Sequence, residues 1–279
     1  MRPPAQAERW TDMTKAPEPA GPDGRAPTRC APGTPCWVSL TTHDLTTAQT
    51  FYAALFGWEF RPGPRRPGLG ARALLDGHEV ADIGHLPPVE RLPAAWTPHL
   101  ASDDVDLTAE TVRLRCGTIG VGPLDTDGSG RLMIGSDPSG AVFGVRQTSA
   151  HLDRGITGVP GAPVWNELVT WETEGAVAFY EALFGYKGKA TSADGPDRVT
   201  LHLDGHPVAG VHQADRALLR DRGPHWLTYF QVTDLSDALE RLTGLGGRVL
   251  TPAHDTPHGR AATVTDPDGA RFALIQDPR

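Results

Sequence analysis

The stretch from Phe51 reads FYAALFGWEF, and the stretch from Phe179 reads FYEALFGYKG. An internal repeat of this kind constrains a fold more than any single motif, because each copy must build the same unit. The offset of 128 residues (51 to 179) also pairs Pro35 with Pro163, Trp37 with Trp165, Leu40 with Leu168 and Thr42 with Thr170. Asp76-Gly77-His78 recurs as Asp204-Gly205-His206. Further on, Trp96 pairs with Trp226, Asp104 with Asp234, Phe143 with Phe272, and the Asp-Pro-x-Gly at Asp137 with that at Asp266. The order is kept throughout, which is the signature of a tandem duplication. The expected division is a disordered tail over 1–33, domain one over 34–149, a linker over 150–162 and domain two over 163–279. The tail is assigned on its Pro-rich composition, which offers little apolar surface to offset the entropy of ordering.

Each copy contains two smaller units. CWVSLTT and WNELVTW alternate like strands. TTAQTFYAALFG then places Ala48, Phe51, Leu55 and Phe56 at helical spacing and stops at Gly57, a C-terminal cap. Strand-like runs follow. A second round begins at TPHLASDD, passes through a helix in VDLTAETVRLRC and ends in RLMIGSDPSGAVFGVRQ, where Asp-Pro-x-Gly supplies a turn. The pattern is βαβββ, twice per copy.

These helices, the Asp-Pro-x-Gly hairpins and the four βαβββ units resemble the vicinal oxygen chelate superfamily of glyoxalases, bleomycin- and fosfomycin-resistance proteins and extradiol dioxygenases. Within it, the chain is similar to two-domain actinobacterial proteins usually labelled glyoxalase-like or hydroxylase. The resemblance implies an α+β fold in which four βαβββ units form two cup-shaped mixed sheets. It leaves open whether each copy closes its own cup or exchanges units with the other.

Enzymes of that superfamily hold a divalent ion on His, Glu or Gln from inward strand positions. In this chain the first-strand position falls on Trp37 and Trp165, and an indole N–H is a donor that ligates nothing. The second-unit position falls at Thr97 and Leu227, the position after Asp-Pro-x-Gly at Gly144 and Ala273, and the remaining one at Asp82 and Gly210. One carboxylate from eight places predicts no metal and no cofactor. On this count His99 faces a cup only if the register slips by one residue.

Other side chains carry weaker signals. His254 and His258 flank Asp255, but Pro252, Pro257 and Gly259 make that stretch a loop. His43 sits at a helix start, and His78 and His206 sit in the matching turns. Asp82, His202 and His212 are the candidate catalytic acid–base groups, since a carboxylate desolvated beside Trp37 is a candidate base and imidazole titrates near neutrality. Trp37, Trp165, Thr97, Trp96, Trp226 and Leu227 are the candidate substrate-binding set. The tryptophans are equally readable as sheet packing.

Composition excludes some functions. The formal net charge of −8 is unsuited to a nucleic-acid face. No apolar run approaches the roughly 18 residues that span a membrane. Three cysteines without metal-ligand spacing fit free thiols in a reducing cytoplasm. The expected function is metal-free binding of an aromatic or polyketide-like small molecule, for sequestration or resistance, by a monomer or homodimer. The alternative is a natural-product tailoring hydroxylase, isomerase or cyclase using pocket acid–base residues. The ligand count disfavours a metal-dependent glyoxalase or dioxygenase.

Overall fold

The computed structural model describes residues 30–63, 70–87, 92–126, 130–147, 157–190, 198–217, 219–256 and 258–277. The first copy runs β1 (Pro35–Thr42), α1 (Leu45–Phe56), β2 (Glu59–Pro62), β3 (Gly70–Leu75), β4 (His78–His85), β5 (Ala95–Ala101), α2 (Val105–Leu114), β6 (Thr118–Thr126), β7 (Gly130–Ser136) and β8 (Val142–Gln147). The second runs β9 (Pro163–Thr170), α3 (Thr173–Phe184), β10 (Lys187–Ala190), β11 (Arg198–Leu203), β12 (His206–Gln213), β13 (His225–Gln231), α4 (Leu235–Gly244), β14 (Arg248–Thr256), β15 (Gly259–Thr265) and β16 (Arg271–Gln276). No helix among the described residues is long and apolar enough to cross a membrane.

Local chemistry sets the element ends. The Asp44 carboxylate accepts the Thr47 N–H at the start of α1, and Gly57 ends the helix at φ 76°. Gly185 repeats this at φ 73° after α3. The turn at Asp76-Gly77 has φ of 50° and 81°, and its counterpart at Asp204-Gly205 has 51° and 84°. Two consecutive left-handed residues give the tight hairpin that matches strand twist, which explains why the dipeptide recurs.

Each copy builds one eight-stranded sheet, in the orders β2-β3-β4-β1-β5-β8-β7-β6 and β10-β11-β12-β9-β13-β16-β15-β14. The two units of a copy join through antiparallel β1 and β5, or β9 and β13, while β1–β4 and β5–β8 are parallel. The cups are therefore made within each copy.

The hydrophobic cores are not. Phe51, Tyr52, Leu55 and Phe56 of α1 pack with Phe230, Leu235, Leu242, Phe272 and Leu274 of the second copy. Reciprocally, Val105, Val112, Met133 and Phe143 of the first copy pack with Phe179, Tyr180 and Leu201 of the second. Unit one of each copy thus shares a core with unit two of the other. Polar bridges stitch both cores. The Trp96 indole donates to the Tyr52 hydroxyl (2.9 Å), which donates to Asp266 (3.0 Å). Trp226, Tyr180 and Asp137 repeat the chain at 3.0 and 3.4 Å. Each aspartate also caps its own Asp-Pro-x-Gly turn by accepting the N–H of Ala141 or Ala270.

Three expectations change. Gly33, placed in the tail, donates its N–H to the Ala101 carbonyl and accepts the Tyr186 hydroxyl, so the fold begins earlier; residues 1–29 lie outside the described residues. The end of the expected linker is built in, since Gly161 accepts the Trp58 indole and Ala162 is fully buried. His254 and Asp255 lie on β14 rather than in a loop, because the ladder to β15 extends to Thr256.

Sharing of the cores makes each copy dependent on the other. Residues 34–149 expressed alone are expected to be unfolded or self-associated, as judged by circular dichroism and light scattering. A folded monomer of that fragment would overturn the shared-core description.

Candidate functional site

Strand alternation sorts the side chains onto two faces. On β1, Val38 and Leu40 enter a core, so Trp37 and Ser39 face the cup. On β5, Trp96 and Leu100 enter the cores, so Thr97 and His99 face the cup. These two residues are two apart and share a face without any register slip. On β4 and β8, Asp82, Gly144 and Arg146 are the cup-facing residues, and Arg72 joins them from β3.

The floor of the first cup is a charge cluster. Asp82 Oδ2 accepts the Trp37 indole N–H at 2.9 Å and Arg146 Nη2 at 2.8 Å, while Oδ1 accepts Arg72 Nε at 2.6 Å. The two guanidiniums stand 5.5 and 5.3 Å from the Trp37 ring centroid, within cation–π range. Arg72 also pairs with Glu79 at the rim. Beside this cluster the Ser39 hydroxyl and His99 Nε2 lie 2.7 Å apart. A Cβ on Gly144 would stand 2.2 Å from His99 Nδ1, so glycine is needed there for the imidazole to lie against the strand. Burial, with Arg146 adding to it, pushes His99 well below the usual imidazole range.

The second cup has different chemistry at matching positions. Glu167 stands where Ser39 does, and Gly210 where Asp82 does. A Cβ on Gly210 would crowd the Trp165 indole and Glu167 Cγ. Glu167 accepts Arg198 at 2.7 Å and the Tyr229 hydroxyl at 2.8 Å. Trp165 packs with Val164, Ala261, Ile275 and Tyr229, filling this floor with apolar groups.

The sequence-derived site residues therefore divide. Trp37, Thr97 and Asp82 meet in the first cup. Trp165 and Leu227 face the second. Trp96 and Trp226 lie on the opposite faces of their sheets, inside the shared cores, where their indoles hold Tyr52 and Tyr180. His202 and His212 lie on the second sheet, away from Asp82; His202 Nδ1 bonds the Thr200 carbonyl, and His212 Nδ1 is 3.4 Å from Arg198. The three expected acid–base residues are thus not brought together. Sequence reasoning missed Ser39, Arg72, Arg146 and Glu167, and put His99 in a cup only on a register slip. Ser39, Glu167 and Arg146 were findable, each lying two residues along a strand from a position already assigned to a cup.

A glyoxalase-like family model matches residues 168–275. Anthracycline biosynthesis protein DauV of Streptomyces sp. (strain C5) is 34% identical over 265 residues, covering 89% of this chain and 95% of DauV. The chain belongs to the glyoxalase-like family. Among solved structures, the Mn(II)-bound glyoxalase from Novosphingobium aromaticivorans superposes with a TM-score of 0.61 at 18% identity, covering 88% of this chain and 82% of that one. The 2,3-dioxygenase LapB from Pseudomonas sp. KL28 gives 0.62 at 13% identity, covering 90% and 94%. These two likenesses show that the chain shares the fold of those two enzymes.

The residues of the first cup do not fit the divalent ion that the vicinal oxygen chelate resemblance would imply. Its one floor carboxylate is already engaged by two guanidiniums and an indole, and a cation there would meet two positive charges. Among the described residues no three His, Cys, Asp or Glu side chains converge as a metal set.

Burial makes two histidines report on pH. His225 is lowered to about 4, mainly by desolvation, and His99 is lowered too. Below the unfolded value of about 6.5 the unfolded chain takes up protons that the folded protein refuses, so stability is full above that pH and is lost as pH falls towards 4. The unfolding free energy from urea titration is expected to fall as pH drops below about 6.5 towards 5, by up to about 1.4 kcal/mol per pH unit for each excluded proton. His225→Gln should flatten that slope.

Proposed function

We propose that the first cup binds a planar aromatic or polyketide-like small molecule without a metal ion. One observation carries the reading: where a metal would need ligands, the floor presents Asp82 neutralised by Arg72 and Arg146 over Trp37. Guanidinium planes backed by an indole offer a flat, weakly hydrated surface on which aromatic rings stack. Trp37 itself is 5% exposed, so in this reading the ligand meets the guanidiniums and the indole holds them from beneath. Similarity to an anthracycline biosynthesis protein supports a fused-ring aromatic ligand. The second cup, with its floor packed by Trp165, Tyr229 and Ile275, has a structural role.

A second reading is favoured by the Ser39–His99 pair. A neutral imidazole hydrogen-bonded to a hydroxyl on the same floor is suited to relaying a proton to a bound ligand, which is the chemistry of a tailoring enzyme. Ser39→Ala should then abolish turnover of the bound compound while leaving its affinity intact.

The binding reading is tested by titrating intrinsic fluorescence with 9,10-anthraquinone. Trp37→Ala is expected to weaken binding by about tenfold, equivalent to roughly 1.4 kcal/mol. Trp165→Ala should instead destabilise the fold by about 3–5 kcal/mol, as for a buried tryptophan. Unchanged affinity in a folded Trp37→Ala protein would remove the first cup as the site. Elemental analysis of the purified protein is expected to give sub-stoichiometric zinc, nickel, manganese and iron; one tightly held ion per chain would overturn the metal-free part.

A further inference from the structure

The two floors differ in how completely their hydrogen-bond donors are matched. In the second cup one guanidinium, Arg198, meets one carboxylate, Glu167. The positions matching Arg72 and Arg146 there are Thr200 and Ile275. In the first cup two guanidiniums share one floor carboxylate, Asp82, and the other acid, Glu79, is a half-exposed rim residue that reaches Arg72 alone. With Glu79 counted the charges balance, and what is left unmatched is a donor on Arg146. Arg146 is 8% exposed, its Nη2 is held by Asp82, and its Nη1 is buried with no hydrogen-bond acceptor. Leaving a buried charged donor unsatisfied is unfavourable, and a site that does so is preorganised for an acceptor that arrives later. The neighbouring His99 Nδ1 is likewise buried without a hydrogen-bond partner. Burial first, and the nearby Arg146 charge second, oppose protonation of His99.

We infer that the first cup recognises an anionic oxygen on its aromatic ligand, a carboxylate or an ionised phenol or enol, and that Arg146 is the residue that reads it. This rests on the binding reading above and narrows its ligand class. A planar compound with an acidic oxygen at its edge can seat its rings on the guanidinium surface. It brings the oxygen to Arg146 Nη1 while Asp82 keeps Nη2. A neutral compound of the same shape leaves that donor unmatched.

The experiment compares 9,10-anthraquinone-2-carboxylate with the isosteric 9,10-anthraquinone-2-carboxamide, by calorimetry and tryptophan fluorescence, on the full chain at pH 7.5. Wild type is expected to bind the carboxylate at least tenfold more tightly than the carboxamide. In Arg146→Gln the preference should vanish, whatever affinity both probes lose with the missing guanidinium plane. Arg146→Lys, which keeps the charge but loses the fork, should retain part of the preference. Circular dichroism establishes that both variants fold, and the wild-type comparison needs no variant at all. Equal affinity of wild type for the two probes would overturn the anion inference and leave the binding reading standing. A preference that survives in folded Arg146→Gln would overturn the assignment to Arg146. If neither probe binds, both readings fall.

Discussion

Everything in this fold depends on two tyrosines that cross from one copy to the other. Tyr52 and Tyr180 are fully buried, and each accepts a hydrogen bond from a tryptophan of its own copy and donates one to an aspartate of the opposite copy. The aspartate is also the residue that shapes its hairpin turn. Helix position, turn geometry and the docking of two sheets are thus one hydrogen-bonded assembly in a low-dielectric interior, where an unpaired member would be expensive. Around each bridge the rings of Phe51, Phe56, Trp58, Trp96, Phe230 and Phe272, or of Phe143, Phe179 and Trp226, supply the apolar burial. With the back faces locked this way, the opposite faces of both sheets are free to vary.

They have varied. Duplication gave each sheet a tryptophan at the same place, yet the floors around Trp37 and Trp165 now have opposite characters. One carries Asp82, Arg72, Arg146 and His99; the other replaces these with Gly210, Thr200, Ile275 and Tyr229 and places its carboxylate one strand over, at Glu167. A carboxylate that changes strand while the indole stays fixed shows that the cup faces diverge without disturbing the cores behind them.

Much of this was legible in the chain. The helices, their glycine caps and the paired turns follow from repeat spacing and alternation, whereas the cup-facing positions of Trp37, Thr97, Asp82, Gly144 and Trp165 were implied by the family resemblance. Trp96 and Trp226 did not follow, because a tryptophan on a half-buried strand reads the same whichever face it takes until its partner is known, and the partners here are tyrosines 44 and 46 residues away. His99 was misjudged by assigning one residue per strand to the cup, although period-two geometry gives several. The Arg72–Asp82–Arg146 cluster draws on three strands, β3, β4 and β8, and no local pattern announces that they converge. The pairing of cores between copies was equally hidden, since apolar periodicity shows that a face is buried and not what buries it.

That pairing has a consequence for how the chain comes off the ribosome. The partners of Phe51, Tyr52 and Phe56 include Phe272 and Leu274, close to the last described residue. While the first copy emerges, its leading helix has a sheet to lie on but lacks the side chains that complete its core. Synthesis at about 5–20 residues per second leaves that greasy face uncovered for many seconds. The first copy therefore completes its core only once the residues from Phe230 to Leu274 have been made.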